Sequence, residues 1–286
     1  MKLFRFGEAG KEKPGVCINN QFYDVSTWFN DYNEHFFEVN GIDKLRQLLI
    51  DNKNSLPAIP EGSRLGSPIA RPSKIVCIGL NYVNHAKETG AAIPVEPIIF
   101  LKSTTALTGI NDTIILPKDS TKTDWEVELA VVIGKKASYL EEAFAMDYVA
   151  GYSLMNDVSE REFQYERGGT WDKGKGCDTF APMGPFLVTA DEIKDPHNLR
   201  LWLKLNDSIM QDGNTADLIF NIPVLISYVS RFMTLLPGDI ISTGTPPGVG
   251  YGMKPQVFLK DGDIIQLGID GIGSGLQQVK NHRNKL

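Results

Sequence analysis

The stretch Thr123-Asp124-Trp125-Glu126-Val127-Glu128-Leu129-Ala130-Val131-Val132-Ile133-Gly134 constrains this chain most, because it sets two carboxylates into an otherwise apolar segment. Its β-branched and apolar residues, its lack of Pro and its terminal Gly predict a strand. Alternate side chains of a strand share a face, so Glu126 and Glu128 point the same way, roughly 7 Å apart between Cα atoms. Trp125, Val127, Leu129 and Val131 occupy the other face and require a core, while Ala130 and Val132 continue the Glu face. Two carboxylates so placed repel by about 2–3 kcal/mol at an effective dielectric near 20. Water screens them, one takes up a proton, or a cation sits between them. A bare E-x-E is commonly an exposed acidic pair on an edge strand, but flanks this apolar do not suit an edge, which brings the cation level with the exposed pair.

The 286 residues, 42% of them hydrophobic, suffice for one large domain or two unequal ones. A net charge of −6, with no long basic run beyond the short tail Lys280–Lys285, argues against binding nucleic acid or an anionic membrane. Met1–Gly7 alternates like a strand and has no apolar h-region, so no signal peptide is expected, and no apolar run approaches membrane-spanning length. Cys17, Cys77 and Cys177 are far apart and form no C-x-x-C, which reads as reduced packing thiols of a cytoplasmic protein.

Residues 1–40 read as short strands, with Asn19-Asn20 a hairpin turn between Gly15–Ile18 and Gln21–Val25. A helix follows around Ile42–Leu49, and the Pro-bearing residues 52–72 form a linker that closes a small N-terminal domain over 1–72. The larger part, 73–286, opens on the buried-strand pattern Lys74–Gly79, then turns helical through Leu80–Glu88. Further strands are expected at Ile98–Leu101, Tyr148–Asn156, Phe186–Thr189, Leu199–Leu205, Ile240–Thr243 and Asp263–Ile269. Glu141–Met146 reads as a short helix, Val158–Gln164 as a polar helical turn, and Ile222–Met233 as an amphipathic helix with Leu225, Ile226, Val229, Phe232 and Met233 inward. Gly271, Gly273 and Gly275 read as a turn. Residues 165–178 carry four Gly and no period, a loop long enough to suspect function. Strands dominate without a repeating βαβ pattern, so the fold class is mainly β with some α.

Several chemistries are excluded. The four His (His35, His85, His197, His282) show no zinc spacing, and no G-x-S-x-G occurs. Gly169–Lys175 imitates a phosphate loop, but Gly176 stands where Ser or Thr should hold Mg²⁺. His85 and Glu88, three apart on a helix, share a face, where the carboxylate can hold the imidazole tautomer. Asp157 closes a strand that can lie beside the Glu126–Glu128 strand. Three converging carboxylates make a hard oxygen site suited to Mg²⁺, Mn²⁺ or Ca²⁺. Such a site chelates a 2-oxo acid or a β-diketone, and a His–Glu pair beside it could activate water. Spacing alone does not show that these pieces meet.

From about residue 73 to 280 the chain resembles the fumarylacetoacetate hydrolase superfamily. The motifs, in order, are Ile78-Gly79-Leu80-Asn81-Tyr82…His85…Glu88, Glu126-Val127-Glu128-Leu129-Ala130, Asn156-Asp157-Val158-Ser159…Arg161…Gln164, Gly174-Lys175…Asp178-Thr179 and Pro237-Gly238-Asp239…Thr243-Gly244-Thr245-Pro246. The resemblance implies a mixed β-roll catalytic domain with a smaller N-terminal α+β domain, as a homodimer. It implies Mg²⁺ or Mn²⁺ on Glu126, Glu128 and Asp157, a water-activating dyad of His85 and Glu88, and a catalytic Lys175. It also implies substrate contacts from Gln164, Arg161 and, at the carboxylate end, Thr245. The implied activity is hydrolysis of a carbon–carbon bond in a β-diketo acid. Decarboxylation of oxaloacetate, or another lyase reaction, is the alternative, and a non-catalytic protein that binds metal and keto acid is the third reading. Ser120–Glu126 and Gly168–Asp178 are similar to one bacterial branch, described as 2,4-diketo-3-deoxy-L-fuconate hydrolases or ureidoglycolate lyases. The 165–178 loop is then a lid carrying Lys175, against the plainer reading of a rigid connection packed by Trp171.

Overall fold

The structure is a computed structural model and describes residues 1–52 and 55–282. The end of the basic tail expected at Lys280–Lys285, from residue 283 on, lies outside the described residues.

The strand Val127–Ile133 is buried throughout and lies inside the larger sheet. It pairs antiparallel with Val149–Asn156 on one side, Val127 opposite Asn156, and with Ile240–Ser242 on the other. A strand covered by neighbours on both edges and by core on its face tolerates a near-continuous apolar run, which accounts for the composition of this stretch. The larger sheet runs in the order Gln21–Asp24, Lys13–Ile18, Lys2–Phe6, Ala181–Thr189, Val149–Asn156, Val127–Ile133, Ile240–Ser242, Ile75–Gly79, Ile98–Lys102. Most pairings are antiparallel, but Ile240–Ser242 runs parallel to Ile75–Gly79, so the sheet is mixed. A second sheet orders Ser208–Asn214, Arg200–Leu205, Ile264–Ile269, Gly273–Asn281 and Ile114–Leu116. Side chains of both sheets, Val131 and Leu203 among them, belong to one apolar core. Among the described residues no helix is long and apolar enough to cross a membrane.

The N-terminal hairpin turns at Asn19 (φ 50°) and Asn20 (φ 62°), both left-handed as a two-residue turn between twisted strands requires. Lys2–Phe6 pairs with Ala181–Thr189, Leu3 opposite Leu187, so the first strands extend the larger sheet. A boundary at residue 72 is therefore proposed as one between folding units, not between sheets.

Five details differ from the sequence reading. The stretch 123–134 is not one strand: Thr123–Asp124 pairs with Ser159–Glu160 and Val127–Ile133 with Val149–Asn156, and Trp125 and Glu126 lie between them. Gly273 and Gly275 lie in the nine-residue strand Gly273–Asn281 and not in a turn; pairing with Ile264–Ile269 overrides the low strand propensity of glycine. Phe232, expected inward, is 63% exposed because the helix ends at Ser230. Val158–Gln164 divides: Ser159–Glu160 pairs with Thr123–Asp124, and only Arg161–Tyr165 is helical. The 165–178 loop contains a short helix, Asp172–Lys175.

Candidate active site

The antiparallel register sets the site. With Val127 opposite Asn156, Asp157 falls just beyond the strand end, and its N–H donates to the Glu126 carbonyl at 2.8 Å. Glu126 immediately precedes the strand Val127–Ile133 and Glu128 is its second residue, and one carboxylate oxygen from each of Glu126, Glu128 and Asp157 lies within 4.8 Å of the others. All three side chains are buried.

The countercharges come from three other segments. Lys175 donates to Glu126 Oε2 at 2.7 Å and to Asp157 Oδ2 at 2.9 Å. Lys102, the last residue of its strand, donates to Asp157 Oδ1 at 2.5 Å and to the Val158 carbonyl at 3.0 Å. Arg161 spans Asp124 Oδ2 (Nε at 2.9 Å, Nη2 at 2.7 Å) and Glu126 Oε1 (Nη2 at 2.7 Å), and its Nη1 donates to Gln164 Oε1 at 3.1 Å. Among the described residues Glu128 accepts hydrogen bonds from neutral donors only, Ser242 Oγ at 2.5 Å and Gly244 N–H at 3.0 Å. The surroundings therefore separate the two glutamates. Burial pushes the Glu128 carboxyl well above the ordinary carboxylate range, reinforced by Asp157 and Glu126. Burial acts in the same sense on Glu126, but Lys175 and Arg161 outweigh it and hold that group at about 2. Burial alone would lower Lys175; Asp157 and Glu126 overcome it and hold the ammonium above the usual lysine value.

Five buried carboxylates (Asp124, Glu126, Glu128, Asp157, Glu160) face three buried bases (Lys102, Arg161, Lys175). With all five ionised, the excess of two negative charges equals the charge of one divalent cation. An all-oxygen donor set suits Mg²⁺ or Mn²⁺. The residues present therefore fit such an ion.

His85 and Glu88 approach the same cavity from the helix Val83–Glu88, with His85 Nδ1 2.8 Å from Glu88 Oε1. The Glu88 carboxylate also accepts the Gly248 N–H, at 2.8 Å to Oε2. Gly248 has φ +109°, and a Cβ there would lie 1.9 Å from the Met210 carbonyl oxygen, so only glycine can aim that N–H. A carboxylate on Nδ1 selects the tautomer whose Nε2 is free to take a proton.

Thr245 and Gln164 line the cavity with His85, Glu126, Glu128, Arg161 and Lys175. The Thr245 hydroxyl is already engaged: it donates to the Val127 carbonyl at 3.0 Å and accepts from Gln211 Nε2 at 2.7 Å. Gln211 in turn accepts the Val127 N–H at 2.9 Å, between the two glutamates. The cavity has a volume of about 20 Å³, room for an ion or one water and not for a keto acid. Trp171 closes it, packed edge-on to Phe100 at 5.4 Å and to Tyr165 at 6.0 Å. A Cβ at Gly79 would lie 2.5 Å from the Trp171 ring, so the glycine makes the seat for the indole. Asp172 fastens the segment by accepting the Leu101 N–H of the edge strand at 2.8 Å. A wider groove of about 770 Å³ lies elsewhere, along the Arg5–Asp31 and Arg64–Glu12 pairs, and none of the three clustered carboxylates lines it.

Sequence reasoning missed Lys102, Asp124 and Gln211. A lysine ending an apolar strand is a weak signal for the first. Asp124 sat in the quoted stretch, yet its importance comes from Gly250 N–H, Tyr251 N–H and Arg161, all distant in sequence. Nothing local marks Gln211.

A profile described as Fumarylacetoacetate (FAA) hydrolase C-terminal matches residues 74–280. A protein of Burkholderia ambifaria that bears only the provisional name of a hydrolase is 50% identical over 285 residues, 99% of this chain and 100% of its own. Fumarylacetoacetate hydrolase from the psychrophilic Exiguobacterium antarcticum superposes with a TM-score of 0.84 at 34% identity, covering 99% of this chain and 100% of that one. Maleylpyruvate hydrolase from Sphingobium sp. SYK-6, in complex with manganese (II) ion and pyruvate, gives 0.82 at 32% identity over the same shares.

Proposed function

The chain belongs to the fumarylacetoacetate hydrolase family, and on that premise we propose that it is a divalent-metal-dependent hydrolase that cleaves a carbon–carbon bond in a β-diketo acid. The observation that carries this reading is the buried triad of Glu126, Glu128 and Asp157, two of whose members line one cavity with His85, itself held by Glu88. The manganese and pyruvate bound by the maleylpyruvate hydrolase support it. Within the same proposal the ion is Mg²⁺ or Mn²⁺, and the protein is a cytoplasmic homodimer. The substrate proposed is a 2,4-diketo-3-deoxy sugar acid such as 2,4-diketo-3-deoxy-L-fuconate.

A divalent ion bound to the triad would supply Lewis acidity at the 2-oxo acid end. The remaining work falls to this chain's side chains. Glu88 holds Nδ1–H, so His85 Nε2 takes a proton from water as the water oxygen bonds to the distal carbonyl carbon. The bond between that carbon and its neighbour on the 2-oxo side breaks, and its electron pair leaves as an enolate. Lys175 spends two of its three hydrogens on Glu126 and Asp157; the third is free to meet the developing enolate charge. The proton held by His85 returns to the departing carbon. Arg161 acts by holding Asp124 and Glu126 in place, and Gln164 offers its amide to substrate. A substrate carboxylate at Thr245 competes with the Val127 carbonyl for the hydroxyl proton.

The purified protein, assayed with Mg²⁺ and with Mn²⁺ on an acylpyruvate, 2,4-diketo-3-deoxy-L-fuconate and oxaloacetate, is expected to cleave β-diketo acids. CO₂ release from oxaloacetate without cleavage of any β-diketo acid would reverse the reading in favour of a decarboxylase. Binding of Mn²⁺ and keto acid with no turnover would support a non-catalytic role.

The segment 165–178 is proposed as the lid, because a cavity of about 20 Å³ admits substrate only if Trp171 lifts from Gly79. Oxalate or pyruvate with Mg²⁺ is expected to protect 165–178 from proteolysis and hydrogen exchange. Full protection in the free protein would make the segment scaffold.

A further inference from the structure

Resting on the reading of this site as one for 2-oxo acids, we infer that it takes substrates with a single carboxylate, the tail beyond the reacting carbons being uncharged and lying against Leu80, Phe100, Tyr165 and Trp171. The charged floor of the cavity, with Glu126, Glu128 and Lys175 and with Asp157 close behind them, accounts for the 2-oxo acid end. The rest of the lining is Ile78, Gly79, Leu80, Thr89, Phe100, Tyr165 and Trp171, which has no basic group. Once Trp171 has lifted to admit substrate, the tail runs along this wall.

Every basic side chain described in the lining already faces a carboxylate of the protein. Lys175 bridges Glu126 and Asp157; Arg161 holds Asp124, Glu126 and Gln164; the His85 imidazole is held by Glu88. The charge balance points the same way. A divalent ion would cancel the two excess formal charges of the buried cluster, so the cluster offers no net positive charge to hold a second carboxylate beyond the one that meets the ion. A second carboxylate against the aromatic wall would lose its hydration without gaining a partner. Neutral polar atoms are better served. In the described hydrogen bonds Gln164 Nε2 has no acceptor, and the Thr89 hydroxyl, which donates to the backbone carbonyls of His85 and Ala86 at 3.1 Å, keeps lone pairs that can accept. A hydroxylated or purely aliphatic tail meets these groups at no cost in charge.

Two non-cleavable probes test this on the Mn²⁺-loaded protein by calorimetry. 2-Oxopentanoate and 2-oxoglutarate share a carbon chain and differ in the terminal methyl against a carboxylate. 2-Oxopentanoate is expected to bind at least about tenfold more tightly, the loss for the dicarboxylate being that of an unpaired buried charge. Leu80→Arg, which adds a cation to the half-buried edge of the wall, is expected to narrow the ratio by about tenfold. Equal or tighter binding of 2-oxoglutarate to the unaltered protein overturns the inference and leaves the proposed reaction standing. A folded Leu80→Arg protein with an unchanged ratio removes the tail from this wall and overturns it too. If neither probe binds, the reading as a 2-oxo acid site fails and the inference with it.

Discussion

Replacing Glu128 with glutamine is expected to abolish divalent-metal binding while leaving the metal-free protein at least as heat-stable as the unaltered one. Burial, reinforced by Asp157 and Glu126, pushes the Glu128 carboxyl well up and so favours its neutral form in the metal-free protein, the form that glutamine imitates. Its acceptor contacts with Ser242 Oγ and Gly244 N–H can be kept by the amide oxygen. The loss of affinity for Mn²⁺ should exceed the roughly 10–100-fold typical of losing a supporting hydrogen bond, because a ligand itself is removed. Asp157→Ala is the contrasting case: it too should lose the metal, but it strands Lys102 and Lys175 in the core and should cost about 3–5 kcal/mol of stability. Titration calorimetry with Mn²⁺ and thermal unfolding of both variants check this. Retention of metal by either would show the triad to be misassigned.

The same two glutamates set the pH dependence. Glu126, held at about 2 against an ordinary 4.5, contributes stability present above 4.5 and lost as pH falls toward 2. Glu128, raised, contributes in the opposite sense: its stabilising effect is complete at acid pH and is lost as pH rises through its folded value. A bound divalent ion keeps Glu128 ionised and should abolish the second decline only. Unfolding temperatures measured across pH with and without Mn²⁺ separate the two.

The second large effect is expected at His85. His85→Ala should lower kcat on a β-diketo acid by about 10²–10⁴-fold, the range for a lost general base, with Mn²⁺ affinity unchanged. His85 touches none of the three carboxylates through a described hydrogen bond; its partner is Glu88. If kcat falls less than tenfold, water activation is not limiting, and a decarboxylation that needs no attacking water becomes the better account.

Residues 123–134 show how far local pattern reaches. The alternation that put Glu126 and Glu128 on one face is visible in the sequence, and so is the apolar run that argued against an edge strand. The strand accordingly lies inside the sheet, between Val149–Asn156 and Ile240–Ser242. His85 and Glu88 were legible for a similar reason, since an i, i+3 pair on a helix meets whatever surrounds it. Asp157 was legible only by assuming that two strands lie side by side, which the Val127–Asn156 register supplies. Gly273–Asn281 was not legible, because its strand character comes from its neighbours in the second sheet.

The sequence by itself determined what short-range periodicity encodes: a β-rich fold, a buried strand with two carboxylates at its start, Glu126 just before it and Glu128 within it, and one helical turn with an imidazole beside a carboxylate. Only the tertiary structure decided which charges are neutralised and which are left over. Lys102 reaches Asp157 across 55 residues, Arg161 reaches Asp124 across 37, and Gln211 fills the Val127 N–H across 84. Each is a buried polar group whose partner is selected by sheet register and by the cost of leaving a donor or charge unpaired. No local spacing records that cost, so the lone high-pKa glutamate and the two uncompensated charges become visible only once the sheets have closed.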